Sequence, residues 1–108
     1  MTPSNPTVAE LIEAINAGDR TAFYDLLAGD AVLTDDGVAR DLVEWCDSNL
    51  FDADARLTPQ RETGDGSRLI VAVHDDKWGD MTTYWDFTVD GGKIDRIDTG
   101  QAAAIGEA

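Results

Sequence analysis

The sequence has one cysteine, one histidine and two lysines, and each scarcity removes a class of protein from consideration. A lone Cys46 cannot close an internal disulfide, and one thiol with one imidazole is too few for a zinc cage. Neither a covalent staple nor a metal is expected, and nothing in the sequence calls for a cofactor. Long hydrophobic runs are also missing. No stretch approaches the ~20 apolar residues of a membrane span. The opening MTPSNPTVAE lacks the basic segment and apolar run of a signal peptide, so a cytoplasmic protein with no membrane partner is expected. Positive charge is scarce as well: 8 basic residues face 22 acidic ones, leaving a formal charge of −14. Nucleic-acid affinity rests on clustered Lys and Arg at phosphates, and the arginines here are dispersed, so no nucleic-acid partner is expected. Self-repulsion at this charge is relieved by salt, and the surface would suit a salty cytoplasm.

What is present reads as one folded domain over residues 1–108, with 1–6 and 101–108 as loosely ordered tails. Hydrophobic residues at 43% lie well above disordered composition. Val8, Leu11, Ile12 and Ile15 form an i, i+3, i+4, i+7 stripe on a first helix. Thr7 with Glu10 offers a capping box, and Gly18 a left-handed stop. Asp19 caps a second helix that buries Phe23, Leu26 and Leu27 and ends at Gly29. AVLTDD is a brief β-prone run. After Gly37, a stripe of Val38, Leu42, Trp45, Cys46 and Asn49 predicts a third helix. From about residue 53 the pattern becomes strands divided by GDG, KWGD and the tight Gly91-Gly92 turn, an antiparallel meander. Pro59 marks its strand as an edge or as bulged. The expected fold is α+β: three N-terminal helices packed on a curved antiparallel sheet, cone-shaped with an internal pocket.

The order helix, NAGD, helix, GDAVLTDDG, helix, then strands ending YWDFTVDGGKIDRIDTG resembles the nuclear transport factor 2-like, or SnoaL-like, superfamily. The resemblance covers roughly residues 7–100. It implies a small-molecule-binding domain, as an isomerase, cyclase or hydrolase with an aspartate base in an apolar pocket. Ketosteroid isomerases of that superfamily keep their base on the strand after the second helix, which matches Asp35. Their two oxyanion donors would match Leu11 and Trp85, and neither can serve, so steroid isomerase chemistry is not expected. The Arg-x-Asp pair of limonene epoxide hydrolases has only Arg96 and Asp98 to match it, on the last strand. SnoaL-type cyclases need a carboxylate base on a pocket wall, which Asp35 would supply.

Alternation separates Asp35 from Asp36. Neighbouring strand residues face opposite ways, so only one of the two can face the pocket; the resemblance selects Asp35, which leaves Asp36 for a turn that caps the third helix. The same rule puts Leu69, Val71, Val73, Thr83, Trp85 and Phe87 on the inner face of the meander. Trp45, Val71, Trp85 and Phe87 are the expected pocket lining, with ordinary core packing as the competing role for the tryptophans. Arg61 and His74 are candidates for a polar rim, against exposed positions on the sheet. Trp78, an aromatic in a loop, suggests a lid or a partner contact. The expected ligand is small and apolar or weakly polar. The alternative is a non-enzymatic module that dimerises through the outer sheet face, where Ile70 and Tyr84 are costly to leave wet. A homodimer is expected on that ground.

Overall fold

In the computed structural model, which describes residues 1–107, two helices precede a six-stranded sheet. Helix α1 (Pro6–Ala17) buries Val8, Leu11, Ile12 and Ile15, the stripe read from spacing. Its N-cap is Asn5, whose carboxamide oxygen accepts from the Thr7 and Val8 amides, with Pro6 at the first helical position. The capping box expected from Thr7 and Glu10 is thus replaced by a cap two residues earlier, followed by Pro6, which has no amide to satisfy and fixes a helical φ. Gly18 closes the helix at φ 68°, and Asp19 caps α2 (Arg20–Asp25) through the Ala22 amide.

The second helix ends before Leu26, not at Gly29, because Leu27 already begins strand β1 (Leu27–Asp35). The strand is longer than AVLTDD suggested. A register irregularity between Leu27 and Val32 accommodates Ala28-Gly29-Asp30, which carry no alternation to announce a strand. Strand β2 (Val38–Arg40) returns antiparallel to β1 through Asp36-Gly37, with φ of 50° and 81°. Two positive φ values are what a two-residue hairpin turn requires, and Asp-Gly is a favoured pair for it. Val38 is therefore an exposed edge-strand residue and not part of the third helix. That helix, α3 (Leu42–Cys46), is capped by Asp41 through the Glu44 amide, and runs into a π-helical turn, Asp47–Phe51.

Strands β3 (Arg56–Thr63), β4 (Arg68–Asp75), β5 (Gly79–Asp90) and β6 (Lys93–Gln101) form the expected meander. The sheet order is β2-β1-β6-β5-β4-β3, and β1 runs parallel to β6, so the sheet is mixed where an antiparallel one was expected. Strand β3 is both an edge and bulged, with the shift between Pro59 and Arg61. At Leu57 its free backbone is satisfied by one side chain: Asn16 donates to the Leu57 carbonyl at 2.8 Å and accepts from its amide at 2.7 Å. The first helix is thereby pinned to the sheet edge.

The core lies between the helices and the inner sheet face, with Phe23, Leu33, Leu69, Val71, Ile94 and Ile97 each at most 1% exposed. The outer face is not bare. A row of paired residues crosses it from Gly100 on β6 to Tyr84, Ile70 and Arg61. The chain after Gln101 folds onto that face as a 3-10 turn, Ala102–Ile105, which packs on β5 and β6. Glu107 then accepts from Arg61 on β3 at 2.7 Å. Ile70 is 0% and Tyr84 8% exposed, so the two residues expected to demand a partner copy are covered within the chain. The described residues at both chain ends contact the sheet. The N-terminal amine donates to the Pro59 carbonyl at the other end.

Candidate functional site

Alternation along β1 turns Leu33 into the core and Asp35, two residues on, to the same face, while Thr34 faces Asp98 on the other side. Asp35 pairs with Thr99 of β6, which pairs with Trp85 of β5, so these three sit in one row across the inner face. Helix α3 passes over this row. A cleft of about 550 Å³ opens between them, floored by Trp85, walled by Trp45 and bordered by Asp35.

The Trp45 indole donates from Nε1 to Asp35 Oδ2 at 3.1 Å. Oδ1 of Asp35 has no protein hydrogen-bond partner among the described residues. Trp45 and Trp85 meet edge to face at 6.2 Å, and Trp85 stacks on Phe87 at 6.2 Å and 20°. Trp78 stands at the mouth, 63% exposed, its Nε1 donating to Asn49 Oδ1 at 3.3 Å. All three tryptophans of the chain therefore border one cleft. Asp75, 5% exposed, shapes the loop carrying Trp78 by accepting from the Lys77 amide at 2.9 Å and from the Trp78 amide at 2.5 Å.

The uncharged donors of the floor are already spent. Trp85 Nε1 donates to Thr83 Oγ1 at 3.0 Å, Thr83 donates to the Val71 carbonyl, and Thr99 donates to the Tyr84 carbonyl. The cationic donors of the cleft are Arg40 and Lys77, both exposed. Lys77 Nζ lies 3.3 Å from Ser48 Oγ and 3.4 Å from Asn49 Oδ1. Negative charge developing on a ligand would meet these two groups and no buried donor.

The expected site residues divide. Asp35, Trp45 and Trp85 come together, whereas Val71 and Phe87 are core residues behind the floor. Arg61 is on the opposite face, paired with Glu107. His74 is exposed, with Nδ1 2.7 Å from Asp80 Oδ1; that hydrogen bond and the carboxylate's charge push the imidazole pKa upward. Asp36 does not cap α3. Its backbone belongs to the β1–β2 turn, its Oδ1 accepts from the Gln101 amide at 3.1 Å, and its side chain borders the cleft beside Asp35. The Asp-Gly pair could have revealed that turn from sequence. Asn49 reads from sequence only as part of the helix stripe, and no local pattern marks Arg40 or Asp80. Arg96 and Asp98 form an ion pair at 2.9 Å outside the cleft. The Cys46 thiol is buried, which pushes its pKa up and leaves it unreactive. No group of three or more His, Cys, Asp or Glu side chains is placed to hold a metal among the described residues, and no described helix is long and apolar enough to cross a membrane.

The sequence matches no family model and no curated relative. Its fold matches many solved structures. A Mycobacterium tuberculosis protein in complex with estradiol-17beta-hemisuccinate superposes with a TM-score of 0.76 at 15% identity, over 92% of this chain and 93% of that one. A nuclear transport factor 2-like protein of Cytophaga hutchinsonii gives 0.74 at 14% identity, over 92% and 89%. The Delta 5-3-ketosteroid isomerase of a Mycobacterium species gives 0.70 at 17% identity, over 92% of each chain. At these identities the similarity concerns architecture, and by that architecture the chain has the nuclear transport factor 2-like fold.

Proposed function

We propose that the chain is a small-molecule-binding domain whose cleft is its ligand pocket, the mouth of a cone formed by the sheet and α3, and that Asp35 serves there as a general base. The observation that carries this reading is the Asp35–Trp45 hydrogen bond. It holds the carboxylate by one oxygen and leaves Oδ1 without a protein partner among the described residues, at a residue that borders a ligand-sized space. A cleft of about 550 Å³ falls within the usual range for ligand sites, and its indole walls provide the apolar surface such sites use. Binding of a steroid-derived ligand by one structural neighbour and isomerase action by another support a ligand role for the same region of this fold. A base at Oδ1 would take a proton from a carbon or water held over Trp85. With no buried oxyanion donor, the reaction class favoured is one in which little negative charge accumulates or the ligand stabilises it internally.

The rival reading is a non-enzymatic module that dimerises through the outer sheet face. It is weakened by the burial of Ile70 and Tyr84 within the chain. A fragment library screened by protein-observed NMR tests the two. Shifts gathered on Asp35, Trp45 and Trp85 support the cleft. Shifts confined to the outer face, or none in the cleft, overturn it. For the base, a cleft-bound ligand with an acidic C–H should exchange that hydrogen in D2O with the native chain and not with Asp35→Asn. Equal exchange in both would remove Asp35 from the role.

A further inference from the structure

The cleft carries four carboxylates, Asp35, Asp36, Asp75 and Asp80, against two cations, Arg40 and Lys77. More telling is how those acids are partnered. Asp36 accepts from a backbone amide, Asp75 from two, and Asp35 from an indole N–H. Such donors satisfy oxygen lone pairs and supply no positive charge. Asp80 faces His74, which lies outside the cleft. Elsewhere the chain spends its arginines on acids: Arg20, Arg56, Arg61, Arg68 and Arg96 each form an ion pair with a carboxylate. No ion pair joins Arg40 or Lys77 to a cleft carboxylate among the described residues, and both cations are exposed while Asp35 is half-buried. The cleft thus holds uncompensated negative charge beside three indoles, inside a chain whose net charge of −14 adds to the same potential.

Indole rings attract cations through their quadrupole, and a neighbouring carboxylate adds directly to that attraction. We propose that the ligand of this cleft is a small organic cation, a quaternary or protonated amine with apolar substituents, held between Asp35 and the indoles of Trp45 and Trp85. The inference deepens the reading of the cleft as a ligand pocket and rests on it. It replaces the apolar or weakly polar ligand expected from sequence. An anionic ligand would find only the exposed Arg40 and Lys77, against four carboxylates.

Three isosteric probes test it on the full chain: choline, its neutral analogue with a quaternary carbon in place of nitrogen, and the corresponding tert-butyl carboxylate. Tryptophan fluorescence reports occupancy directly, since every tryptophan borders the cleft. Choline should bind at least about tenfold more tightly than the neutral isostere at low ionic strength, with the carboxylate weakest. Asp35→Asn should remove most of that advantage and leave the neutral isostere unchanged. Asp80→Asn, at an exposed position, should reduce it less and serves if the first variant fails to fold. Equal binding of choline and its neutral isostere overturns the proposal, as does preference for the carboxylate. If choline does not bind while neutral fragments shift Asp35 and Trp45 in NMR spectra, the charge inference fails and the pocket stands. If no probe and no fragment occupies the cleft, both fail.

Discussion

Trp45 Nε1 donates to Asp35 Oδ2 at 3.1 Å, joining the last turn of a five-residue helix to the end of a strand ten residues earlier. The bond orients a half-buried cleft carboxylate by one oxygen and leaves its second oxygen without a protein partner among the described residues. Trp45→Phe keeps the ring contact with Trp85 and removes the donor. It should lower stability by about 1.5 kcal/mol, the low end for a hydrogen bond to a charged acceptor because Asp35 is only half-buried. Asp35→Asn retains shape and should change the melting temperature less. Chemical denaturation of both variants checks the order, and a larger loss for Asp35→Asn would contradict the assignment of the bond.

Gly100 sits where Asp36 and Tyr84 converge. A Cβ there would overlap the Asp36 carboxylate and lie 2.9 Å from Tyr84 Cε1. Its φ is ordinary, so the need for glycine is one of space. Gly100→Ala should destabilise by about 1 to 3 kcal/mol through overpacking. Asp36→Gly in the same chain should recover part of the loss, since it removes the nearest atoms and suits the positive φ at that position. No recovery in the double variant would place the clash at Tyr84 alone.

The folded pKa of His74 is raised by its hydrogen bond to Asp80 and by the charge of that carboxylate. A group whose pKa is higher folded than unfolded stabilises below its unfolded value of about 6.5, and that contribution is lost as pH rises through the folded value. Stability should therefore fall with increasing pH from about 6.5 upward, and His74→Gln should flatten the decline. An NMR titration of the imidazole gives the folded value directly. A midpoint below 6.5 would reverse the sign.

The C-terminal turn acts as a strap over the outer face, with Ala102 fully buried and Glu107 reaching Arg61. A chain ended at Gln101 should expose Ile70 and Tyr84, lose stability and self-associate, which light scattering and thermal melts would detect. Arg61→Ala alone should cost at most about 1 kcal/mol, because the ion pair is exposed. A truncated chain that stays monomeric and equally stable would show that other contacts cover that face.

The pieces whose signals are local could be read along the chain. The α1 stripe, the Gly18 stop, the Asp19 cap, the Gly91-Gly92 turn and the Pro59 edge all follow from spacing or from the backbone freedom of one residue. Alternation likewise directed Trp85 to the inner face and left room there for only one of Asp35 and Asp36. Tertiary structure decided what depends on contacts distant in sequence. The parallel pairing of Leu33, Thr34 and Asp35 with Ile97, Asp98 and Thr99 joins segments more than sixty residues apart, and no local period encodes it. It makes Asp35 a neighbour of Thr99 and Trp85, and it turns the meander into a mixed sheet. The C-terminal strap is legible only once Ile70 and Tyr84 form the surface it covers. Asp75 takes its amides from its own loop, whereas the partnering of Asp36 with the Gln101 amide joins residues far apart in sequence. Burial and charge balance are properties of the assembled surface, so the character of the cleft emerged only from the fold.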